Sequence, residues 1–173
     1  MNDDLPDSDE IIPATEVQAA LDRLAQEITA RLAHSSPLVI TVMNGGLVFA
    51  GQLLPRLAFA LECSYVQVRR YGAGTQGGEL VWIAGPQEPV KGRTVLLLDD
   101  ILDEGRTLAT IRTRLLEQGA VEVLTAAFAL KERATPAAIV ADFTGVNVPN
   151  RFVFGFGMDI AGRWRNLPSI RAL

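Results

Sequence analysis

The run Thr94-Val-Leu-Leu-Leu98, introduced by Gly92 and Arg93 and followed at once by Asp99-Asp100, constrains this chain more than any other segment. It is too short for a helix and too continuously apolar for a half-exposed strand. It therefore reads as a strand buried on both faces, the signature of a parallel sheet covered by helices. The surrounding sequence alternates to match. Pro37 to Met43 is a second apolar run that ends at Asn44-Gly45-Gly46, and Leu47, Ala50, Leu53, Leu54 and Leu57 then follow at helical spacing. Leu108, Ile111, Leu115 and Leu116 mark a helix stopped by Gly119, after which Val121 to Leu130 supplies another strand. Ser64 to Arg70 and Leu80 to Ile83 are strands on either side of a long glycine-rich loop; Asn150 to Gly155 is a last strand, with an irregular tail beyond it. Near the start, Thr15 and Gln18 form a capping-box pair ahead of Val17, Leu21, Leu24, Ile28 and Leu32, which make one buried helical stripe. The fold class is α/β, with a mainly parallel central sheet flanked by helices.

Length and charge narrow the function classes. At 173 residues the chain reads as one domain, 1–173, with residues 1–12 a flexible arm. Sixteen Lys plus Arg against twenty Asp plus Glu give a net charge of -4, the opposite of the basic field that sequence-independent nucleic-acid binding needs. The acidic N-terminus lacks the cationic and apolar regions of a signal peptide, and no apolar run is long enough to span a bilayer. A cytoplasmic protein with neither nucleic acid nor membrane as partner is expected. Cys63 opens an apolar-rich run and reads as a small core residue.

In open α/β sheets ligands bind beyond the carboxyl ends of the strands, which leaves three candidate loops: Asn44 to Gly46, Asp99 to Thr107, and Gly155 to Asp159. The second carries the most chemistry. Gly105-Arg106-Thr107 turns into a helix whose first amide hydrogens and positive dipole end suit a phosphate, with the Thr107 hydroxyl as an added donor. Asp99 and Asp100 accept hydrogen bonds when ionised, so they suit ribose hydroxyls or, through water, a divalent cation. One loop thus holds both ends of a sugar phosphate. Gly72-Ala-Gly-Thr-Gln-Gly77 formally matches a dinucleotide fingerprint, but the following Leu80-Val-Trp-Ile83 is a strand where that motif needs a helix.

The segment Val95 to Thr107 resembles the phosphoribosyl-pyrophosphate signature of type I phosphoribosyltransferases. Met43 to Gly51, Leu130-Lys131 and Asp142 to Pro168 are similar in order and spacing to hypoxanthine-guanine phosphoribosyltransferases, so the resemblance covers roughly residues 37–173. It implies the type I fold with a small hood from the N- and C-terminal segments, residues 150–173 forming part of the purine-binding hood. It implies transfer of the phosphoribosyl group from phosphoribosyl pyrophosphate to hypoxanthine or guanine, giving IMP or GMP and pyrophosphate, with Mg²⁺ and in a homodimer or homotetramer. Carried over by position, Asp103 is the general acid or base at the purine imidazole, and Asp103, Glu104, Gly105, Arg106 and Thr107 hold the 5'-phosphate. Asp99 and Asp100 bind the ribose hydroxyls and, with Asp159, the metal. Lys131 donates to the 6-oxo group, Phe152 stacks on the base, the Val153 main chain reads its edge and Asp159 lies beside it. Asn44, Gly45 and Arg165 meet the pyrophosphate, and residues 71–79 form a lid entered through Arg70 and Tyr71.

Departures from the family pattern also carry information. Asn44 stands where many relatives have Lys, in a turn whose peptide bond is often cis, and Arg70 replaces a usual Ser and could restore positive charge near the diphosphate. Glu104 takes the place of a small residue, and its carboxylate is expected to point to solvent. The alternatives are a xanthine-preferring transferase and a nucleotide-sensing, RNA-binding regulator on the same fold; the net charge of -4 counts against the second.

Overall fold

The protein is described here by a computed structural model, which covers residues 4–70 and 80–173. Strand β1 (Asp9–Ile12) leads into helix α1 (Ala14–Leu32), β2 (Leu38–Met43), α2 (Gly46–Leu53) and a 3-10 turn (Leu54–Arg56). Then come β3 (Glu62–Arg70), β4 (Leu80–Ala84), β5 (Thr94–Leu102), α3 (Arg106–Glu117) and β6 (Glu122–Lys131). Strands β7 (Phe143–Val148), β8 (Val153–Phe154) and β9 (Ile170–Ala172) complete the chain. Six strands build the central sheet in the order β4-β3-β2-β5-β6-β7, parallel throughout except for β4, which runs antiparallel to β3. This is the expected α/β class.

Strand β5 holds the middle of that sheet, paired with β2 on one side and β6 on the other. Side chains alternate across a strand. Leu96 and Leu98 accordingly enter the core shared with α1 and α2, whereas Val95 and Leu97 enter the core shared with α3. All four are fully buried, and burying each contributes roughly 1.5–3 kcal/mol, so one strand fixes both helical layers. Phe128 of β6 plays a similar part in the first core. Its ring centroid lies 5.4 Å from that of Phe49 on α2 and 4.3 Å from that of Phe156, tying the sheet to the C-terminal segment.

A second, three-stranded antiparallel sheet, ordered β1-β9-β8, joins the two ends of the chain. Residues 9–12 are therefore strand, not part of a flexible arm. Ile12 and Ile170 are buried together, Arg151 pairs with Asp9 at 2.7 Å, and Arg171 donates to the Ser8 hydroxyl at 2.9 Å. Most of the tail beyond Gly155 is irregular, as expected, but Ile170–Ala172 forms a strand, because its hydrogen-bonding partners are supplied from the opposite end of the sequence. Only Val153–Phe154 of the expected last strand is regular, and it lies in this small sheet; the central sheet ends instead with β7.

Two smaller expectations also change. Thr15 and Gln18 form no capping box: Pro13 is the N-cap, without a side-chain hydrogen bond, and Gln18 bonds Gln52 at 2.9 Å. Cys63 is exposed, on the same face of β3 as the exposed Tyr65, while Val66 and Val68 turn into the α3-side core. The lid, with Tyr71, falls at 71–79 outside the described residues, as does the side chain of Arg70. No helix among the described residues is long and apolar enough to cross a membrane.

Replacing Phe128 by Ala should cost about 3–5 kcal/mol, because its ring neighbours lie on α2 and in the C-terminal segment, which cannot both collapse into the space. Urea unfolding of Phe128→Ala measures this; a loss below about 1 kcal/mol would show that the C-terminal segment is not held through this ring.

Candidate active site

The strand that organises the core also delivers the acids. β5 does not stop at Leu98, as its apolar run suggests, but continues through the acids to Leu102, with Asp99 opposite Ala127 and Leu102 opposite Leu130 on β6. Asp99 and Asp100 are each only 8% exposed, which is rare for carboxylates. The Asp100 amide donates to Asp99 Oδ1 at 3.0 Å and the Ile101 amide to Asp100 Oδ1 at 2.8 Å. Burial, and then repulsion from Asp100, pushes the Asp99 carboxyl well above its ordinary range. Burial also pushes Asp100 up, partly offset by its hydrogen bonds and by Arg165. Two adjacent buried acids with this electrostatic cost are suited to a partner that supplies donors or positive charge.

The loop after β2 closes on them. The Met43-Asn44 peptide is cis, and a Cβ at Gly45 would lie 2.1 Å from Asp100 Oδ2. Only glycine admits the carboxylate so near the backbone. On the other side Arg165 reaches toward them from the C-terminal segment. It donates to the Gly157 carbonyl at 2.5 Å, pairs with Asp159 Oδ1 at 2.5 Å and reaches within 3.9 Å of Asp100 Oδ2. The second oxygen of Asp159 accepts from the Gly162 amide at 2.6 Å.

Beyond Leu102 the chain turns at Gly105, whose φ of 73° is left-handed, and α3 starts at the next residue. A cleft of about 470 Å³ runs from Asn44 and Gly45 over Asp99, Asp100 and Asp103 to Glu104, Gly105, Arg106 and Thr107, with Arg165 at its side. The helix start thus faces the cleft with its positive end. Glu104 is not simply solvated: it lies 3.3 Å from Arg106 and 3.7 Å from Arg133.

Asp103 has a different environment. Lys131 Nζ, at the end of β6, donates to Asp103 Oδ2 at 2.8 Å, and Arg133 Nη1 donates to Oδ1. Burial alone would raise this carboxyl, but hydrogen bonds from Lys131 and Arg133 outweigh it and hold the group below its ordinary value. Phe152 and Val153 do not line the cleft: Phe152 is 54% exposed at the edge of the small sheet, and Val153 is buried within it. Arg133 is the site residue that the sequence reading overlooks. It lies in the loop just beyond β6, where strand alternation no longer fixes the direction of a side chain, so no sequence pattern pointed to it.

The family of the phosphoribosyl transferase domain matches residues 7–161. The chain belongs to this family. Among phosphoribosyltransferases it is 34% identical to the hypoxanthine-guanine phosphoribosyltransferase of Bacillus subtilis, over 94% of this chain and 91% of that protein. It is 38% identical to the bifunctional protein TilS/HprT of Listeria innocua, again over 94% of this chain, but it spans about a quarter (25%) of that relative's length. A crystal structure of a hypoxanthine phosphoribosyltransferase from Staphylococcus aureus superimposes with a TM-score of 0.90 at 25% identity, covering 95% of this chain and 90% of that one. A hypoxanthine-guanine-xanthine phosphoribosyltransferase gives 0.86 at 26% identity, covering 95% and 96%.

Replacing Asp99 by its neutral isostere removes the cost of ionising a carboxyl in this place, first its desolvation and then its repulsion from Asp100. Asp99→Asn is expected to raise the thermal midpoint at neutral pH, by about 2–4 °C for each kcal/mol relieved, and to lose this advantage in acid, where Asp99 is protonated. Calorimetry against pH tests it, and an unchanged or lower midpoint at neutral pH refutes it. Asp103 has the opposite sign. Its lowered value makes the ion pair stabilising above the ordinary carboxylate range of about pH 4 and ineffective once pH falls through the depressed value. The stability gap between the parent and Asp103→Asn should therefore be constant from neutrality to about pH 4 and close below it.

Proposed function

We propose that this phosphoribosyltransferase carries the 5-phosphoribosyl group of phosphoribosyl pyrophosphate to hypoxanthine or guanine, forming IMP or GMP and releasing pyrophosphate. The observation that carries this reading is the placement of two buried carboxylates and a helix N-terminus along one cleft, with the Asp103-Lys131 pair at its end. In this reaction the purine nitrogen forms a bond to the anomeric carbon, pyrophosphate leaves with the electrons of the broken bond, and the imidazole proton passes to Asp103. The Asp103 to Thr107 segment holds the 5'-phosphate, and Asp99 and Asp100 face the ribose hydroxyls and the positive charge that grows on the sugar. Arg165, with Asn44 and Gly45, sits where the leaving diphosphate gathers negative charge. Phe152 offers an exposed ring for stacking and Val153 a backbone edge for the base.

Lys131 gives the base selectivity. Its ammonium donates to a 6-oxo acceptor, whereas a 6-amino group is itself a donor, and leaving the two opposed costs about 1–3 kcal/mol. The donor set also fits magnesium, since Asp99 and Asp100 provide adjacent hard oxygens and Mg²⁺ commonly takes one or two carboxylates together with substrate phosphates. Bound there, Mg²⁺ would supply positive charge for the departing diphosphate. Asp159 would join the metal only by exchanging Arg165 for it, as its oxygens now face Arg165 and Gly162. The exposed Leu47 beside Cys63 and Tyr65 supports a homo-oligomer formed through the α2 face.

A coupled assay with phosphoribosyl pyrophosphate, Mg²⁺ and each of hypoxanthine, guanine, xanthine and adenine tests this function. Hypoxanthine and guanine should react and adenine should be poor; turnover led by xanthine would favour the xanthine-preferring alternative. Asp103→Asn should lower kcat by about 10²–10⁴-fold while the Michaelis constants change little. Full activity in that variant would remove Asp103 from proton transfer.

A further inference from the structure

Arg133 stands at the base end of the site and has no part in the reading above. The loop that carries it is fixed at both sides: the Glu132 amide donates to the Val148 carbonyl at 2.9 Å, and the Ala138 amide donates to the Glu104 carbonyl at 2.8 Å. Its guanidinium sits between Asp103 and Glu104, and Glu104 in turn meets Arg106 at the start of α3. The charged groups around Asp103 are therefore Lys131 from β6, Arg133 from the following loop, and Glu104 and Arg106 from the phosphate segment. The two oxygens of Asp103 are not equivalent, because Lys131 holds Oδ2 and Arg133 holds Oδ1.

A 6-oxopurine presents its O6 acceptor and an imidazole nitrogen side by side on one edge. Such an edge can enter between Oδ2 and the Lys131 ammonium, replacing one ion pair by two charge-assisted hydrogen bonds. On entry Asp103 loses the Lys131 ammonium to the base. We infer that Arg133 is a positioning residue, which retains Asp103 Oδ1 while the base displaces Lys131 from Oδ2 and so keeps the carboxylate anionic and aimed at the imidazole. A planar guanidinium is suited to this because it fixes the carboxylate's orientation as well as its charge. The inference rests on the proposed transfer to a 6-oxopurine. It adds that the pair seen between Asp103 and Lys131 is the closed form of the base site, and that Arg133 is the contact that survives opening.

The test compares Arg133→Met and Arg133→Lys with the parent protein in steady-state assays with hypoxanthine, phosphoribosyl pyrophosphate and Mg²⁺ across pH. Arg133→Met should lower kcat roughly tenfold. The KM for phosphoribosyl pyrophosphate should stay within about twofold, because the phosphate end keeps its helix start. The acid limb of kcat/KM for hypoxanthine should move to higher pH in Arg133→Met and return in Arg133→Lys, a pattern that general loosening of the fold does not produce. A folded Arg133→Met with unchanged kcat and limb overturns the role, as does a fall in kcat with an unmoved limb. Should Arg133→Met fail to fold, Arg133→Gln, which keeps a donor and removes the charge, is judged by the same criteria. A parent protein inactive with every 6-oxopurine overturns the underlying transfer reaction instead, and is seen before any variant is made.

Discussion

The site depends on keeping two carboxylates side by side at the end of a buried central strand, where desolvation and mutual repulsion both oppose their charge. The surrounding structure can be understood as what makes that tolerable. Strand β5 is held by neighbours on both edges and helices on both faces, so its end does not fray toward water. Gly45 gives Asp100 room against the backbone of the next loop, and Arg165 brings a positive group near it from the C-terminal segment. The cleft that results is polar, and its unmet need for donors and positive charge suits a sugar diphosphate.

The chain separates two carboxylate environments by only a few residues. Asp99 and Asp100 are raised by burial, whereas Asp103, past the end of the strand, is lowered by two cations. Groups with opposed tendencies in one cleft can divide electrostatic and proton-transfer work between them. Glu104 links the halves, because its carboxylate lies near both Arg133, which pairs with Asp103, and Arg106 at the helix start.

The parts legible in the sequence are those whose cause is local. The apolar runs of β2, β5 and β6, the helix starting after Gly105 and the acids after Leu98 all follow from periodicity and turn chemistry. Elements that depend on distant partners were not legible: β1 and β9 are short and become strands by pairing with each other across the whole chain. The length of β5 was underestimated because polarity suggested an end, whereas continued pairing with β6 decided it. Cys63 misled through its apolar neighbours, since the sequence does not reveal that its face of β3 lies open. At the site, Asp103 and Lys131 come from segments 28 residues apart and were joined only through the family pattern. Arg133 fell outside that pattern, and geometry alone brought it in.

The small sheet that joins the ends of the chain sets an order on folding. β1 precedes the other described elements in the sequence, yet β9, its partner in the sheet, follows them. The central layers can condense while translation proceeds, but the small sheet must wait for β9 to leave the ribosome. Until then β1 has no strand to pair with, and the segment that brings Arg165 toward the two acids is unanchored on its far side.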